Sequence, residues 1–424
     1  MLDQTYSKKS LIKYLRKTRI SGLTVPKRDS LIDSLDKVVS EINKKEFDFN
    51  SLNSFEVKNK RVWRTKSHKE TLILRLTNSL LKKIFKVKQA NRNLITNQIT
   101  NLISSGQSYY ILRTDIKNFY ESVPYSKILK QIESDHIFSV QLKYILKKIK
   151  DKCLSQNKGL PRGICFSPTL AERFLREFDD SIRQNDSVFY YGRYVDDIII
   201  FYKNNDKFNL KKLKEYLPFE LALNESKTIE FILNCRCHKF CICGNNCKCS
   251  NKCKCKYDAT KDYLLEYLGY NFTFSDIPIN SDKAKEVKIT LATSKIKKMK
   301  TRIVLAVLDY LKSNNFNLLE KRIQFLTSNY PVYETIENSN LKAGIYYSYP
   351  MINKFEDLDN LDVYLKKLIF SKNNSLGNKI NAALDETEKQ KIVKFSFKYG
   401  HIERRLAKFS AEDIDLIKKC WKNG

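Results

Sequence analysis

Three aspartates stand where carboxylates are costly. Asp115 follows the aromatic and aliphatic run Tyr109-Tyr110-Ile111-Leu112-Arg113, and Asp196-Asp197 separate the run 188–195 from Ile198-Ile199-Ile200-Phe201-Tyr202. Ionised carboxylates between apolar runs need a metal or another cation to compensate them. Phosphodiester synthesis uses such groups: two divalent cations about 4 Å apart stabilise the attacking and the leaving oxygen. Mg²⁺ fits this role, since it takes hard oxygen ligands from one or two carboxylates plus substrate phosphates. A polar hairpin turn and a helix cap are the ordinary readings of each feature alone. Together they point to metal-assisted phosphoryl transfer, with Asp115, Asp196 and Asp197 as ligands of two Mg²⁺.

A second cluster has a different chemistry. Cys235, Cys237, Cys241, Cys243, Cys247, Cys249, Cys253 and Cys255 form four Cys-x-Cys units with a period of six, and His238 lies among them. The residues between them are mostly Lys, Asn and Gly, so these thiols are not core. Thiolate ligation of zinc is the expected role, with four sulfurs per ion and hence two structural Zn²⁺ or a small shared cluster. Free redox-labile thiols are the alternative. Lys248, Lys252, Lys254 and Lys256 on the same segment offer a surface to nucleic acid or a partner.

The elements around these residues can be read from periodicity. Strand, tight acidic turn, strand describes 188–202, a hairpin with two carboxylates at its tip. Residues 1 to about 60 read as short basic helices, with Leu11, Ile12 and Leu15, then Leu31, Ile32, Leu35 and Val38, at helical spacing. Helical patterns continue through 70–104, from Tyr125 to about Lys150, and over 169–184. From about 285 onward the chain is mostly helical and basic, with Ser371 to Gln390 as a polar loop or linker. Strands mixed with helical crossovers predict an α+β fold.

The 424 residues carry 78 Lys and Arg against 47 Asp and Glu, a net charge of +31 that favours polyanionic partners. Hydrophobic residues at 42% exclude a disordered tail. No apolar run approaches the roughly 20 residues that would span a bilayer, and the N-terminus has no apolar signal core. A cytoplasmic protein without a membrane partner is therefore expected, in a compartment where disulfides are rare.

On these residues the chain resembles the reverse transcriptases. Tyr194-Val195-Asp196-Asp197 is similar to their Tyr-x-Asp-Asp box, and Thr114-Asp115-Ile116-Lys117-Asn118-Phe119-Tyr120 to their first catalytic motif. Gly159-Leu160-Pro161-Arg162-Gly163-Ile164-Cys165-Phe166-Ser167-Pro168 is similar to their Leu-Pro-Gln-Gly segment, with Arg162 where most members have Gln. The resemblance implies a right-hand polymerase fold of fingers–palm type with a helical, thumb-like C-terminal domain and a Cys-rich zinc-binding insertion. The expected division is 1–105 extension and fingers, 106–284 palm including the knuckle 235–255, and 285–424 thumb.

It also implies roles. Tyr120 would be a steric gate against a 2′-hydroxyl, and Lys227, in Leu223-Asn224-Glu225-Ser226-Lys227-Thr228, would approach the departing pyrophosphate. Glycines of the Arg162-Gly163 segment would let the backbone approach template and nucleotide, and Arg162 would contact a phosphate or a base. Lys69, Arg75 and Arg92 lie where basic residues of this fold touch nucleotide or template. Leu265–Tyr270 resembles the primer-grip hairpin. The Arg162 variant, Phe119-Tyr120-Glu121-Ser122-Val123 and Leu170-Ala171-Glu172 look most like bacterial antiphage reverse transcriptases of the unknown and abortive-infection groups. Among these the resemblance points to the type-3 defence system, which pairs two reverse transcriptases with a noncoding RNA. The implied partners are a noncoding RNA template, a DNA product, dNTPs and a second reverse transcriptase in an oligomer. Untemplated or protein-primed synthesis and a non-catalytic, maturase-like RNA-binding scaffold are the competing readings.

Overall fold

The computed structural model describes residues 2–17, 23, 25–105, 109–154, 159–203, 205–233, 262–275, 286–332, 341–372 and 375–421. All the cysteines from Cys235 to Cys255, and with them the zinc reading, lie outside the described residues.

The strand β1 (Leu52–Val57) pairs with β2 (Lys60–Thr65). A central antiparallel sheet follows, made of β3 (Tyr109–Asp115), β4 (Val188–Tyr194), β5 (Asp197–Tyr202) and β6 (Ile229–Leu233) in the order β4-β5-β3-β6. A second antiparallel sheet has the order β7 (Asp262–Tyr267), β8 (Tyr270–Ser275), β9 (Lys288–Leu291). The short pair β10 (Asn329–Pro331) and β11 (Lys342–Gly344) lies among the C-terminal helices.

The continuous apolar run of β5 has a simple cause: both faces of the central sheet are buried. Side chains alternate across a strand. Ile198, Ile200 and Tyr202 enter one core, which gathers Tyr6, Leu72 and the helices Tyr125–Ser134, Val140–Leu154 and Ser167–Phe174. Ile199 and Phe201 enter a second, shared with β7, β8 and the helices Thr293–Ser313, Phe316–Thr327 and Glu356–Phe370. All five of these β5 side chains are fully buried. Among the described residues no helix is long and apolar enough to cross a membrane.

Several expectations need correction. Residues 52–65 form a hairpin where short helices were expected; its turn places Lys58 at φ 51° and Asn59 at φ 59°. Two positive φ values mark the turn that two-residue hairpins favour, but Lys-Asn signals it far less openly than Asn-Gly. The polar stretch Ser371 to Gln390 is not a linker, since it contains the helix Ser375–Ala383 and the start of the helix Glu386–Val393. Ile380, Leu384 and Ile392 are buried there, and Asp385 and Glu388 form a capping box. The helical pattern 125–150 divides into Tyr125–Ser134 and Val140–Leu154, and the one over 169–184 into Ser167–Phe174 and Arg176–Arg183.

Candidate active site

Strand register brings the three aspartates together. Asp115, the last residue of β3, lies opposite Asp197, the first residue of β5. One residue on, the Ile116 N–H donates to the Asp196 carbonyl at 3.1 Å. On the other side of β3, Thr114 and Thr228 share a hydroxyl hydrogen bond of 2.7 Å, and the Asn224 N–H donates to the Asp115 carbonyl at 2.8 Å. These bonds anchor the 3₁₀ turn Glu225–Lys227, whose Lys227 ammonium is ion-paired with Oδ2 of Asp115. Asp115 is only 5% exposed, and its Oδ1 is buried without a hydrogen-bond partner. An orphaned, buried carboxylate oxygen is expensive, and a divalent cation is the kind of group that satisfies it.

The hairpin tip is strained and braced. Val195 sits at φ 61°, a left-handed conformation that β-branched residues rarely adopt. Arg193 holds it, donating to the Val195 carbonyl at 2.8 Å while its fork grips Glu172 and Asp179 at 2.6–3.0 Å. Tyr191 donates to Asp179 at 2.6 Å, and the Tyr267 hydroxyl of β7 donates to the Asp197 carbonyl at 3.0 Å. A lone Arg in an apolar strand and two acids seven positions apart were the sequence signals for this network.

Burial, then the neighbouring Asp196, pushes the Asp197 carboxyl up to about 6. Burial and Asp115 raise Asp196 as well. Negative charge is thus crowded here beyond what Lys227 and Arg113 relieve, and hard oxygen donors in that state fit Mg²⁺. Among the described residues no group of three Asp, Glu, His or Cys side chains is arranged so that it could hold a metal ion.

Tyr120 lies beside the acidic group; burial and then Asp196 raise its hydroxyl. The Arg162 guanidinium donates twice to Glu121, at 3.0 Å each, and lies 5.0 Å over the Tyr120 ring. The glycines of this loop serve protein packing. A Cβ on Gly163, at φ 94°, would come within 2.4 Å of the Trp63 carbonyl, and one on Gly159 within 2.3 Å of the Glu121 carbonyl. The backbone they bring close is that of β2 and of residues 120–121.

Arg92 is also committed elsewhere. It donates to the carbonyls of Leu268 at 2.9 Å and Ser348 at 2.6 Å and stacks over Tyr270 and Tyr349. Arg75 is half-buried on the helix His68–Phe85, within electrostatic reach of the Cys165 thiol and so beside the Gly159–Pro168 loop. Lys69 is exposed one turn earlier on that helix, and no contact among the described residues links it to the aspartates.

Among curated proteins none matches this sequence. Solved structures superpose loosely. Telomerase from Candida albicans in complex with the TWJ fragment of telomeric RNA is 13% identical at a TM-score of 0.33, covering 93% of this chain and 57% of that one. Telomerase from Candida tropicalis in complex with the TWJ fragment is 12% identical at 0.33, covering 92% and 68%. Apo telomerase from Candida tropicalis truncated from its C-terminal domain is 13% identical at 0.31, covering 65% and 49%. The chain thus spans about half to two thirds of the length of these structures, and superpositions this loose carry no argument. The family model is another matter. Residues 42–272, more than half of the chain and all of the acidic site, match the model described as reverse transcriptase (RNA-dependent DNA polymerase). The chain belongs to the reverse transcriptase family.

Proposed function

We propose that this chain synthesises DNA on an RNA template, with Asp115, Asp196 and Asp197 holding two Mg²⁺. The observation that carries this reading is the buried, unpartnered Oδ1 of Asp115 beside two carboxylates of raised proton affinity. Bound divalent cations would stabilise the attacking 3′ oxygen and the leaving pyrophosphate. The strained, Arg193-braced turn fixes Asp196 and Asp197 before substrate arrives, which is the preorganisation such chemistry needs. Lys227, ion-paired with Asp115, would serve as electrostatic stabiliser or proton donor to the departing pyrophosphate. Tyr120, propped against Arg162 beside Asp196, excludes a 2′-hydroxyl. Gly163 and the Arg162–Glu121 pair act through the loop that positions Tyr120, and Lys69 and Arg75 supply positive charge on the fingers helix. We keep the division into fingers to 105, palm to 284 and thumb to 424.

The test is Asp196→Asn combined with Asp197→Asn, assayed for dNTP incorporation on a primed RNA. Incorporation falls to background while RNA affinity stays within about twofold, because the neutral pair preserves shape. Unchanged incorporation would refute the reading.

The finer proposal is cDNA synthesis on a dedicated noncoding RNA in bacterial antiphage defence, in the cytoplasm and with a second reverse transcriptase. It is supported by the Arg162 variant and the sequence around Phe119–Val123 and Leu170–Glu172. Sequencing the nucleic acids bound to the protein from its own operon should return one discrete RNA and its complementary DNA. Two structural Zn²⁺ on Cys235–Cys255 belong to the same proposal, supported by the six-residue Cys-x-Cys period.

A further inference from the structure

Behind the turn Leu268–Gly269, the short helix Ile345–Ser348 and the segment 399–406 build an aromatic and cationic surface. Its centre is a row of four side chains. The Lys342 ammonium lies 5.5 Å over the Tyr347 ring, Tyr347 meets Tyr346 edge-on at 5.2 Å, and the Arg404 guanidinium lies 4.3 Å over Tyr346. Tyr399 flanks the row at 54% exposure, beneath Arg405 at 5.9 Å, and Leu406 is 58% exposed.

The row is held by one buried amide. Asn329 is fully buried; its Nδ2 donates to the Gly400 and Arg405 carbonyls at 3.1 Å each, and its Oδ1 accepts from the Tyr346 N–H at 2.9 Å. The Asn329 side chain thus links both halves of the surface, alongside the backbone bonds of Asn329 N–H to the Arg405 carbonyl and Ile345 N–H to the Ser328 carbonyl. Gly400 packs so tightly on the Thr327 carbonyl that a Cβ would overlap it. Two half-buried rings, Tyr346 also meeting the His401 ring at 5.2 Å, carry the exposed Lys342 and Arg404 on this rigid mount, an arrangement that suits a ligand with flat faces.

Charge narrows the choice. Arg405 is paired with Glu403 and Lys398 with Asp359, whereas Lys342 and Arg404 have no acidic partner among the described residues. Cations at either end of a tyrosine pair, without an acidic partner among the described residues, are groups that single-stranded nucleic acid uses: bases stack on rings and on guanidinium planes, and phosphates meet the cations. A duplex cannot offer its base faces. We propose that this platform binds a single-stranded stretch of nucleic acid, its bases on Tyr346, Tyr347 and the outer face of Arg404 and its phosphates against Lys342. Arg92 ties the platform's helix to Leu268, so a strand here runs alongside the β7–β8 turn. The proposal needs no catalysis.

The test is fluorescence anisotropy of a labelled 12-nucleotide uridine RNA, with unlabelled primer–template duplex in saturating excess to fill any duplex site. The variant is Tyr347→Ala with Arg404→Asn; asparagine tolerates the left-handed backbone of Arg404 at φ 51°. We expect about tenfold weaker single-strand binding, unchanged affinity for the duplex, and an unaltered thermal unfolding profile. Lys130→Asn, an exposed cation on the helix Tyr125–Ser134, controls for charge alone. Single-strand affinity equal to that of the control overturns the proposal and leaves the surface as a protein-docking face. An equal loss for duplex and single strand also overturns it, since stacking on free bases would not be involved. Asp196→Asn leaves the result unchanged, so failure of this proposal is distinguishable from failure of the polymerase reading.

Discussion

Asp197 shows how one side chain can be unfavourable for the fold and necessary for the site. Its carboxyl titrates near 6 because burial and Asp196 disfavour the charge. The folded state therefore binds its proton more tightly than the unfolded chain does. Below about pH 4 the group is protonated in both states and costs nothing. As pH rises to 6 the unfolded chain ionises first, and stability falls; above 6 the penalty is complete, of order 2–3 kcal/mol. Asp197→Asn removes it. In EDTA at pH 8 the variant should unfold at a higher temperature than the parent, and the gap should close towards pH 4. Adding Mg²⁺ should raise the parent's midpoint and leave the variant's nearly unmoved. Equal midpoints at pH 8 would mean that the carboxylate is solvated after all. The same imbalance made the aspartates legible from sequence: carboxylates amid apolar runs have few explanations. Arg162 and Arg92 were less legible, because an arginine's partner is chosen by tertiary contacts. Glu121 takes the Arg162 fork, and the Leu268 and Ser348 carbonyls take Arg92.

At the scale of elements, the apolar run of β5 announced a central strand and Asp115 ends its strand as expected, whereas the turn is Val195-Asp196 and Asp197, expected in the turn, begins β5. The hairpin β1–β2 escaped because its half-exposed strands carry only two deeply buried anchors, Leu52 and Trp63. The helices of 375–393 escaped because their few apolar residues are spread thinly along a polar stretch, although Asp385 and Glu388 already spelled a cap. Gly163 joins two of these elements: the Trp63 N–H donates to the Arg162 carbonyl at 2.7 Å, and only hydrogen fits between Gly163 and β2. Gly163→Ala meets both a positive φ and a backbone overlap, so it should cost about 2 kcal/mol or more. Urea unfolding measures that cost. Because β2 and Tyr120 are both seated on this loop, KM for dNTP should rise by several-fold in the same variant. Parent-like stability and KM together would show that the loop adjusts without strain.

Across the whole molecule, the central sheet lies between two cores, and its hairpin tip is fixed from both. Arg193 reaches Glu172 and Asp179 on one side; Tyr267 reaches the Asp197 and Gly192 carbonyls from the other. Leu233 and Asp262, the described residues on either side of the cysteine segment, both lie in strands. Among the described residues each end has its own strand pairing. β6 pairs with β3, β7 pairs with β8, and Phe231 stacks on Tyr263 with ring centroids 5.9 Å apart. Replacing residues 234–261 with a Gly-Ser linker of about ten residues should therefore leave the fold intact. Far-UV circular dichroism should be unchanged and the unfolding midpoint shifted by only a few degrees. Thiolate ligation predicts that metal analysis finds about two zinc ions per parent chain and none in the replacement. A parent chain free of zinc would overturn the ligation reading. If the replacement fails to fold, the segment supports the palm as well as any metal, and the ring contact between β6 and β7 is too weak to hold the two sheets together.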